Sequence, residues 1–532
     1  MPTIAAVDIG SNSCRLKIAS MHLHRLRTLH EDREVVRLGE SVFASGLVSP
    51  EAMANTVAAL KRFHKAVQAH AVDQVRVVAT SALRDARNAD AFTAWVKSAT
   101  GWNVEIISGL EEGRLIHMGV VSHERGAKGR CLLVDLGGGS CEVTLSDGGR
   151  IREIVSLPLG AVRLQQEFLR SVPPAKEDIA RLKQFISREL RRLERKMGLP
   201  RVSLVLATSG TALALAEASE SLESAGWAAA KKPGKAGARK QGSATKRLLV
   251  FGGQHFASTE GVRKLASKLT KMTNLQRAAV SGIGPRRSEI IVGGAHVYAE
   301  LLERLSLKGF RYSPMGLRDG VLAQMLAQMD LRTSAHQRME TERWASVLEV
   351  CQLYRQDVKL AEPVRSHATQ LFDALQRIHG LPPEYKAWLQ AAAMMHDVGK
   401  FMNHQGHHRH THYIIANSEI YGFTPQERAL VAAIARYLGK SRPTPMDREM
   451  RGIAPEEQPH VERAVVLLRL ALALNQDRAS DVLRVKAMVY PRRVVLALTP
   501  GRSGAELEMW SLRKEADYFR EVFRRELVAE LA

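Results

Sequence analysis

Twice in this chain an apolar strand runs into an aspartate, a Gly/Ser-rich turn and a second apolar strand. The first copy is IAAVDIGSNSCRLKI (Ile4–Ile18), where Asp8 precedes Gly10, Ser11, Asn12 and Ser13. The second is CLLVDLGGGSCEVTL (Cys131–Leu145), where Asp135 precedes Gly137, Gly138, Gly139 and Ser140. Tight turns of this composition offer backbone N–H groups and hydroxyls beside a carboxylate. That chemistry suits a phosphate and a divalent cation, the amides forming an anion nest and the aspartate holding the metal or its water. Glu142, on the returning strand of the second copy, adds an acid near the same turn, so Asp8, Asp135 and Glu142 are the candidate metal ligands. The cation expected from oxygen donors alone is Mg²⁺ or Mn²⁺.

Other candidates sit where strands end. IISGLEEGRL places Glu111 and Glu112 in the first turn of a helix, where a carboxylate either compensates the helix dipole or serves as a rigidly held general base. ATSALRDARN puts Arg84 just past a strand, a place for a phosphate clamp. LATSGTALALAE starts a helix at Ser209, Gly210 and Thr211, whose free N–H groups and hydroxyls suit an anion. Far downstream, adjacent His396 and Asp397 in AAAMMHDVGK could join His367 and His410 around a divalent metal.

The elements that must position these residues alternate through the first 330 positions. Helix is expected at Ala52–Ala69, strand at Gln74–Thr80 and Val104–Ser108, then helix from Leu110. After the second hairpin come a charged helix (Lys176–Lys196), a strand (Ser203–Ala207), a helix (Thr208–Glu217) and a strand at Ile290–Val292 ending on Gly293-Gly294. Two similar halves of this α/β kind imply a duplicated domain with a phosphate cleft between the copies. Residues 228–247 (AAAKKPGKAGARKQGSATKR) lack periodicity and read as a disordered basic insert. Beyond about residue 335 the pattern becomes helical and His-rich; strands return at Arg484–Tyr490 and Arg493–Leu498, with a closing helix at Lys514–Leu531.

Composition bounds the partners. The chain has 532 residues, too many for one core, and a net charge of +22 that favours a polyanion. Aromatics are only 5% and no basic–aromatic strand pair is present, which argues against a specific nucleic-acid partner. The amino terminus, MPTIAAVDIG, has neither a basic n-region nor an apolar h-region, and Ala464–Leu474, the longest apolar run, is short and interrupted by Arg469. A cytoplasmic protein is expected, with at most peripheral contact at the inner membrane face. Cys14, Cys131, Cys141 and Cys351 show no metal or disulfide spacing and read as reduced buried thiols.

Together these motifs resemble the exopolyphosphatase/guanosine pentaphosphate phosphohydrolase (Ppx/GppA) family. The pieces that carry the resemblance are VDIGSNSCRL, ATSALRDARN, ISGLEEGRLIHMGV, VDLGGGSCEV, TSGT, VGGA and MGLRDG, followed by HDVGK, HHRHTHYII and ARYLGK. The resemblance implies two actin-like (ASKHA, ribonuclease-H-type) α/β domains at 1–125 and 126–330. It further implies an all-α HD-like domain at 335–482 and a small α+β domain at 483–532. It assigns the base role to Glu112, the magnesium side to Asp135 and Glu142, and phosphate binding to the two loops. The implied activity is hydrolysis of terminal phosphate from inorganic polyphosphate, in a homodimer. Guanosine pentaphosphate as substrate, or a non-catalytic polyphosphate or alarmone sensor, are the alternatives. Departures are Gly113 after the glutamate pair, Leu438 where a further histidine is expected, and Asn475, with Asp477 nearby, at the late aspartate of the HD pattern.

Overall fold

The computed structural model describes all residues except 1, 23–24, 199–200, 230–254, 330–333, 440, 477–483 and 500–503. The expected basic insert therefore lies outside the described residues from position 230 onward, as does Asp477. The chain divides into two compact units, Met1–Gln337 and Arg338–Ala532.

The first unit begins with β1 (Thr3–Ile9), β2 (Ser13–His22), β3 (Arg25–Val35), α1 (Leu38–Ser45), α2 (Pro50–Ala69) and β4 (Gln74–Ala79). There follow α3 (Ser81–Asp85), α4 (Ala89–Thr100), β5 (Val104–Ile106) and α5 (Gly109–His123). Its second half runs β6 (Cys131–Leu136), β7 (Cys141–Asp147), β8 (Arg150–Leu157), α6 (Ala161–Phe168), α7 (Lys176–Met197), β9 (Leu204–Thr208) and α8 (Ser209–Ala229). It closes with β10 (Phe256–Ser258), α9 (Thr259–Thr270), α10 (Asn274–Ala278), α11 (Ile291–Arg304), β11 (Gly309–Tyr312) and α12 (Leu317–Met329).

The two sheets repeat one plan. The first has the order β3-β2-β1-β4-β5; the second, read in the same sense, is β8-β7-β6-β9-β11-β10. In each, an antiparallel hairpin opens the sheet and the next strand returns parallel beside its first member. Parallel pairing brings the ends of β1 and β4, and of β6 and β9, to one edge, where Asp8 lies level with Val78 and Asp135 with Thr208. Residues of β1 alternate between two cores: Ala5, Val7 and Ile9 pack with α2 and α4, while Ile4 and Ala6 face a core shared with α5, α12, β6 and β9. A strand buried on both faces reads as a continuous apolar run, which is how the sequence reads here.

One expected strand is a helix. Ile290–Val292 is not a strand but the start of α11, and Gly293-Gly294 lies inside that helix. The glycines serve helix packing: a Cβ on Gly294 would lie 2.6 Å from Thr211 Cγ2, and one on Gly293 3.0 Å from Leu164 Cβ.

The second unit is helical, with α13 (Ser334–Leu353), α14 (Val358–Ala374), α15 (Gln376–His379), α16 (Tyr385–Met395), α17 (His407–Asn417), α18 (Pro425–Arg436) and α19 (Gln458–Ala473). A small sheet follows, from β12 (Arg484–Val489), β13 (Arg493–Thr499), α20 (Glu506–Phe523) and β14 (Glu526–Leu531), in the order β12-β13-β14. The closing helix expected at Lys514–Leu531 thus starts earlier and stops at Phe523. Arg524 turns the backbone left-handed (φ 55°), and the alternating segment after it pairs parallel with β13. All four cysteines are unpaired and buried. No helix of the described residues is long and apolar enough to cross a membrane.

Candidate active site

Both Gly/Ser loops sit against the start of a helix. In the first, Gly39 N donates to Ser11 O at 2.7 Å, and Val36 N and Arg37 N both donate to Asn12 O at 3.1 Å. In the second, Ala161 N donates to Gly137 O at 3.0 Å, and Val162 N and Arg163 N donate to Gly138 O at 2.8 and 3.1 Å. The C=O and N–H of a trans peptide point in opposite directions. Turning these carbonyls onto α1 and α6 therefore aims the following amides the other way, into a cavity of about 450 Å³ that both loops line. The halves meet closely here. A Cβ on Gly139 would come within 2.5 Å of Phe43 and Ser81 of the first half.

Register places the acids. In the second hairpin Asp135 lies directly opposite Glu142, so the two carboxylates share a face. Ser108 caps α5 by accepting from Glu111 N at 3.1 Å, which fixes both glutamates in the first turn. Their roles then separate. Glu111 is taken by Arg114, with two contacts of 2.8 Å, whereas Glu112 lines the cavity and is only 7% exposed. Ligand oxygens of Glu112, Asp135 and Glu142 all lie within 4.8 Å of one another.

Three carboxylates so close and so buried resist ionisation. Burial raises Glu112, opposed by Arg84 and assisted by the charges of Asp135 and Asp8. Burial followed by the Glu112 charge pushes Glu142 well above its ordinary range. Asp135 is likewise raised by burial, which its hydrogen bond from Thr208 Oγ1 at 2.5 Å opposes. Glu142 Oε1 accepts from Ser156 Oγ at 2.8 Å, but its Oε2 is buried with no partner. An orphaned carboxylate oxygen amid mutual repulsion is what a divalent cation relieves, and an all-oxygen donor set fits Mg²⁺ or Mn²⁺. The site therefore fits the expected metal. Asp8 lines the same cavity but lies outside the three-carboxylate cluster, and the residue facing it across its hairpin is Arg15.

Arg15 belongs to a group that sequence reasoning missed. Arg15, Arg33, Arg287 and Arg318 all line the cavity. Arg33 is lowered to about 10 by burial and by the charges of Arg15, Arg286 and Arg318. Arg287 is lowered to about 10 by burial and by Arg33 and Arg15. Arg318, also lowered by burial, donates to Leu16 O at 2.9 Å. Arg33 Nε is buried without a partner, as is Ser11 Oγ beside it in the cavity lining. Mutually repelling guanidiniums and an idle hydroxyl make a receptor for an anion with several charges. One signal was available: Arg15 follows Asp8 by the same seven residues that separate Glu142 from Asp135. Arg33, Arg287 and Arg318 come from separate segments that only the fold assembles.

The remaining candidates divide. Gly10, Ser11, Asn12, Ser13, Gly137, Gly138, Gly139, Ser140, Ser209, Gly210 and Thr211 all line the cavity. Ser209 adopts a left-handed backbone (φ 77°) at the start of α8. Arg84 does not line the cavity. Its Nη1 donates to Glu112 Oε2 at 2.9 Å and to Ile107 O at 2.8 Å, and its Nη2 donates to Ser140 Oγ at 3.3 Å. It holds the glutamate and reaches the hydroxyl of the second loop.

The expected second metal site does not assemble among the described residues, where Glu112–Asp135–Glu142 is the only group with metal-ligand spacing. Asp397 instead contacts Lys400, His407 at 3.3 Å and His396 at 3.5 Å. His367 is a buried imidazole whose pKa burial lowers to about 4, and His410 sits half-buried on α17.

Comparison with known proteins follows the same lines. The profile of the Ppx/GppA phosphatase family matches residues 17–329, and that of Ppx/GppA phosphatase domain III matches residues 343–519. Among solved structures, an exopolyphosphatase from Cytophaga hutchinsonii is 25% identical with a TM-score of 0.53, covering 61% of this chain and 98% of its own. An exopolyphosphatase-like protein is 26% identical with a TM-score of 0.52, covering 60% and 96%. A Ppx/GppA family member from Aquifex aeolicus is 27% identical with a TM-score of 0.49, covering 62% and 99%. The chain belongs to the Ppx/GppA phosphatase family.

Proposed function

We propose that this phosphatase is an exopolyphosphatase that removes terminal phosphate from inorganic polyphosphate, with Glu112 as the general base. The observation that carries this reading is the buried Glu112–Asp135–Glu142 cluster, its oxygens within 4.8 Å, facing two amide-lined loops. Arg84 engages Glu112 Oε2, which leaves Oε1 to take a proton from water. The same guanidinium opposes the burial that would keep Glu112 protonated. Loop amides from Gly138, Gly139 and Asn12 are placed to stabilise charge on the phosphoryl oxygens. A divalent cation bound by Asp135 and Glu142 would neutralise charge on the transferred and leaving phosphates. Four arginines converging on one cavity suit a substrate with several successive phosphates better than a monoester.

The test is phosphate release from long-chain polyphosphate, with guanosine pentaphosphate in a parallel arm, by the parent and by Glu112→Gln. Loss of the base should lower kcat on the true substrate by about 10²–10⁴-fold. Undiminished release by Glu112→Gln would overturn the assignment. Release from the pentaphosphate alone would move the substrate to the alternative.

A further inference from the structure

One guanidinium touches both halves of the first unit beside the second loop. Arg163, on α6, donates its Nε to Gly139 O at 2.7 Å. Its Nη2 donates to Ser81 Oγ at 3.2 Å and to the Asp85 carboxylate, both on α3 of the first half. Its Cζ lies 4.2 Å from the centroid of the Phe43 ring on α1. Its remaining charged contact, Glu167 at 3.7 Å, is on its own helix.

With this bond the second loop has every glycine carbonyl accounted for: Gly137 O and Gly138 O on the amides of α6, and Gly139 O on the Arg163 side chain. Holding Gly139 O fixes the plane of the Gly139–Ser140 peptide, so Ser140 N–H points the opposite way, away from Arg163, on a residue that lines the cavity. No backbone carbonyl among the described residues accepts from the amides of Gly138, Gly139 or Ser140. The first two carbonyls are held by the free N-terminal amides of α6, which are fixed to the helix backbone. The third is held by a side chain whose other arm is anchored across the cleft.

We propose that Arg163 is a positioning residue that couples closure of the two halves to the aiming of the Ser140 amide at the bound phosphoryl group. Contact with Ser81, Asp85 and Phe43 orders the guanidinium, and the ordered guanidinium sets the Gly139–Ser140 peptide. If the halves part, the amide loses its orientation. The device rests on the proposed phosphate hydrolysis for its activity readout, and on anion binding alone for its second readout.

The experiment uses the full chain and the variants Arg163→Ala, Arg163→Lys and Asp85→Asn. Arg163→Ala should lower kcat by about 100-fold, the size of losing one oriented oxyanion donor. Added guanidinium ion should return a large part of that kcat, because it can refill the space between Gly139 O and Asp85. Arg163→Lys reaches only one of the two halves, and its kcat should fall nearly as far. Asp85→Asn leaves the bond to Gly139 but weakens the anchor that orders the guanidinium, so its kcat should fall as well, by less than in Arg163→Ala. A kcat for Arg163→Ala within about threefold of the parent overturns the proposal, since an oriented donor is worth far more. So does a loss that guanidinium fails to relieve, which is how a merely structural arginine behaves. If the parent hydrolyses neither substrate, tripolyphosphate titrated by calorimetry decides independently. Weaker binding by Arg163→Ala supports the coupling, and equal binding overturns it.

Discussion

Opposite charges occupy equivalent positions in the two hairpins. Asp8 faces Arg15 across β1–β2, and Asp135 faces Glu142 across β6–β7. On the proposed reading, this one position separates a half that offers an arginine to the substrate from a half that offers a second acid to the metal. The kinetic consequences should separate too. Arg15→Gln removes a charge that holds the substrate in ground and transition state alike, so KM should rise by about tenfold with kcat little changed. Glu142→Gln removes an acid that acts on the reacting phosphate, so kcat should drop by about 100-fold or more with KM nearly constant. Steady-state kinetics on polyphosphate at saturating Mg²⁺ would check both, and the same split in both variants would refute the division of labour. The spacing that reveals this contrast is present in the sequence, but charge alone pointed to Glu142 because a metal needs acids. The arginine needed the register before its position had meaning.

Elements carry these residues, and a very close backbone contact between two of them lies under the base. Helix α5 starts at Gly109 and holds Glu112, and it crosses α12 with backbone almost touching backbone. A Cβ on Gly320 would lie 1.8 Å from Leu115 O, which nothing short of moving α12 can relieve. Gly320→Ala should therefore cost about 3 kcal/mol or more of stability in the first unit, at the upper end for overpacking. Gly316→Ala, where an added Cβ meets nothing within 4 Å, should be nearly silent in the same denaturation experiment. The hairpins, the parallel strands after them and the helix bearing Glu112 were legible because loop chemistry and apolar period agree there. Ile290–Val292 was not legible: a short apolar run ending in two glycines fits a strand end as well as a helix packed tightly on Thr211 and Leu164. The carboxyl-terminal strand was hidden for a different reason. Glu526–Leu531 gains its strand character from pairing with β13, and its short alternation is too brief to set it apart from the last turn of α20 in the sequence.

On the scale of the whole chain, the two units should respond differently to acid. In the first, His296 is lowered to about 4 by burial and by the nearby Lys183 charge, so folding favours its neutral form. Its contribution is complete above the unfolded value near 6.5 and is lost as pH falls toward 4. Against it stand Asp8, Asp135, Glu112 and Glu142, all raised by burial. Such acids destabilise the fold when ionised and become neutral on acidification, so the first unit regains part of what His296 loses. The second unit lacks that compensation in its histidine-rich region. His367 is lowered to about 4 by burial, and the hydrogen bond and charges of His407, His396 and Lys400 hold Asp397 well below the usual carboxylate range despite its burial. Both contributions vanish in the same direction: the first between about pH 6.5 and 4, the second below the ordinary aspartate value near 4. A fully buried histidine shifted this far is worth on the order of 3 kcal/mol. Calorimetric unfolding of the chain between pH 7 and 4 should therefore show the transition of the second unit falling faster than that of the first. His367→Leu, which leaves no hydrogen-bond partner stranded because the ring Nδ1 has none, should remove much of that fall in the second unit alone. Equal shifts in both units, or an unchanged slope in His367→Leu, would show that these buried groups do not set the acid response.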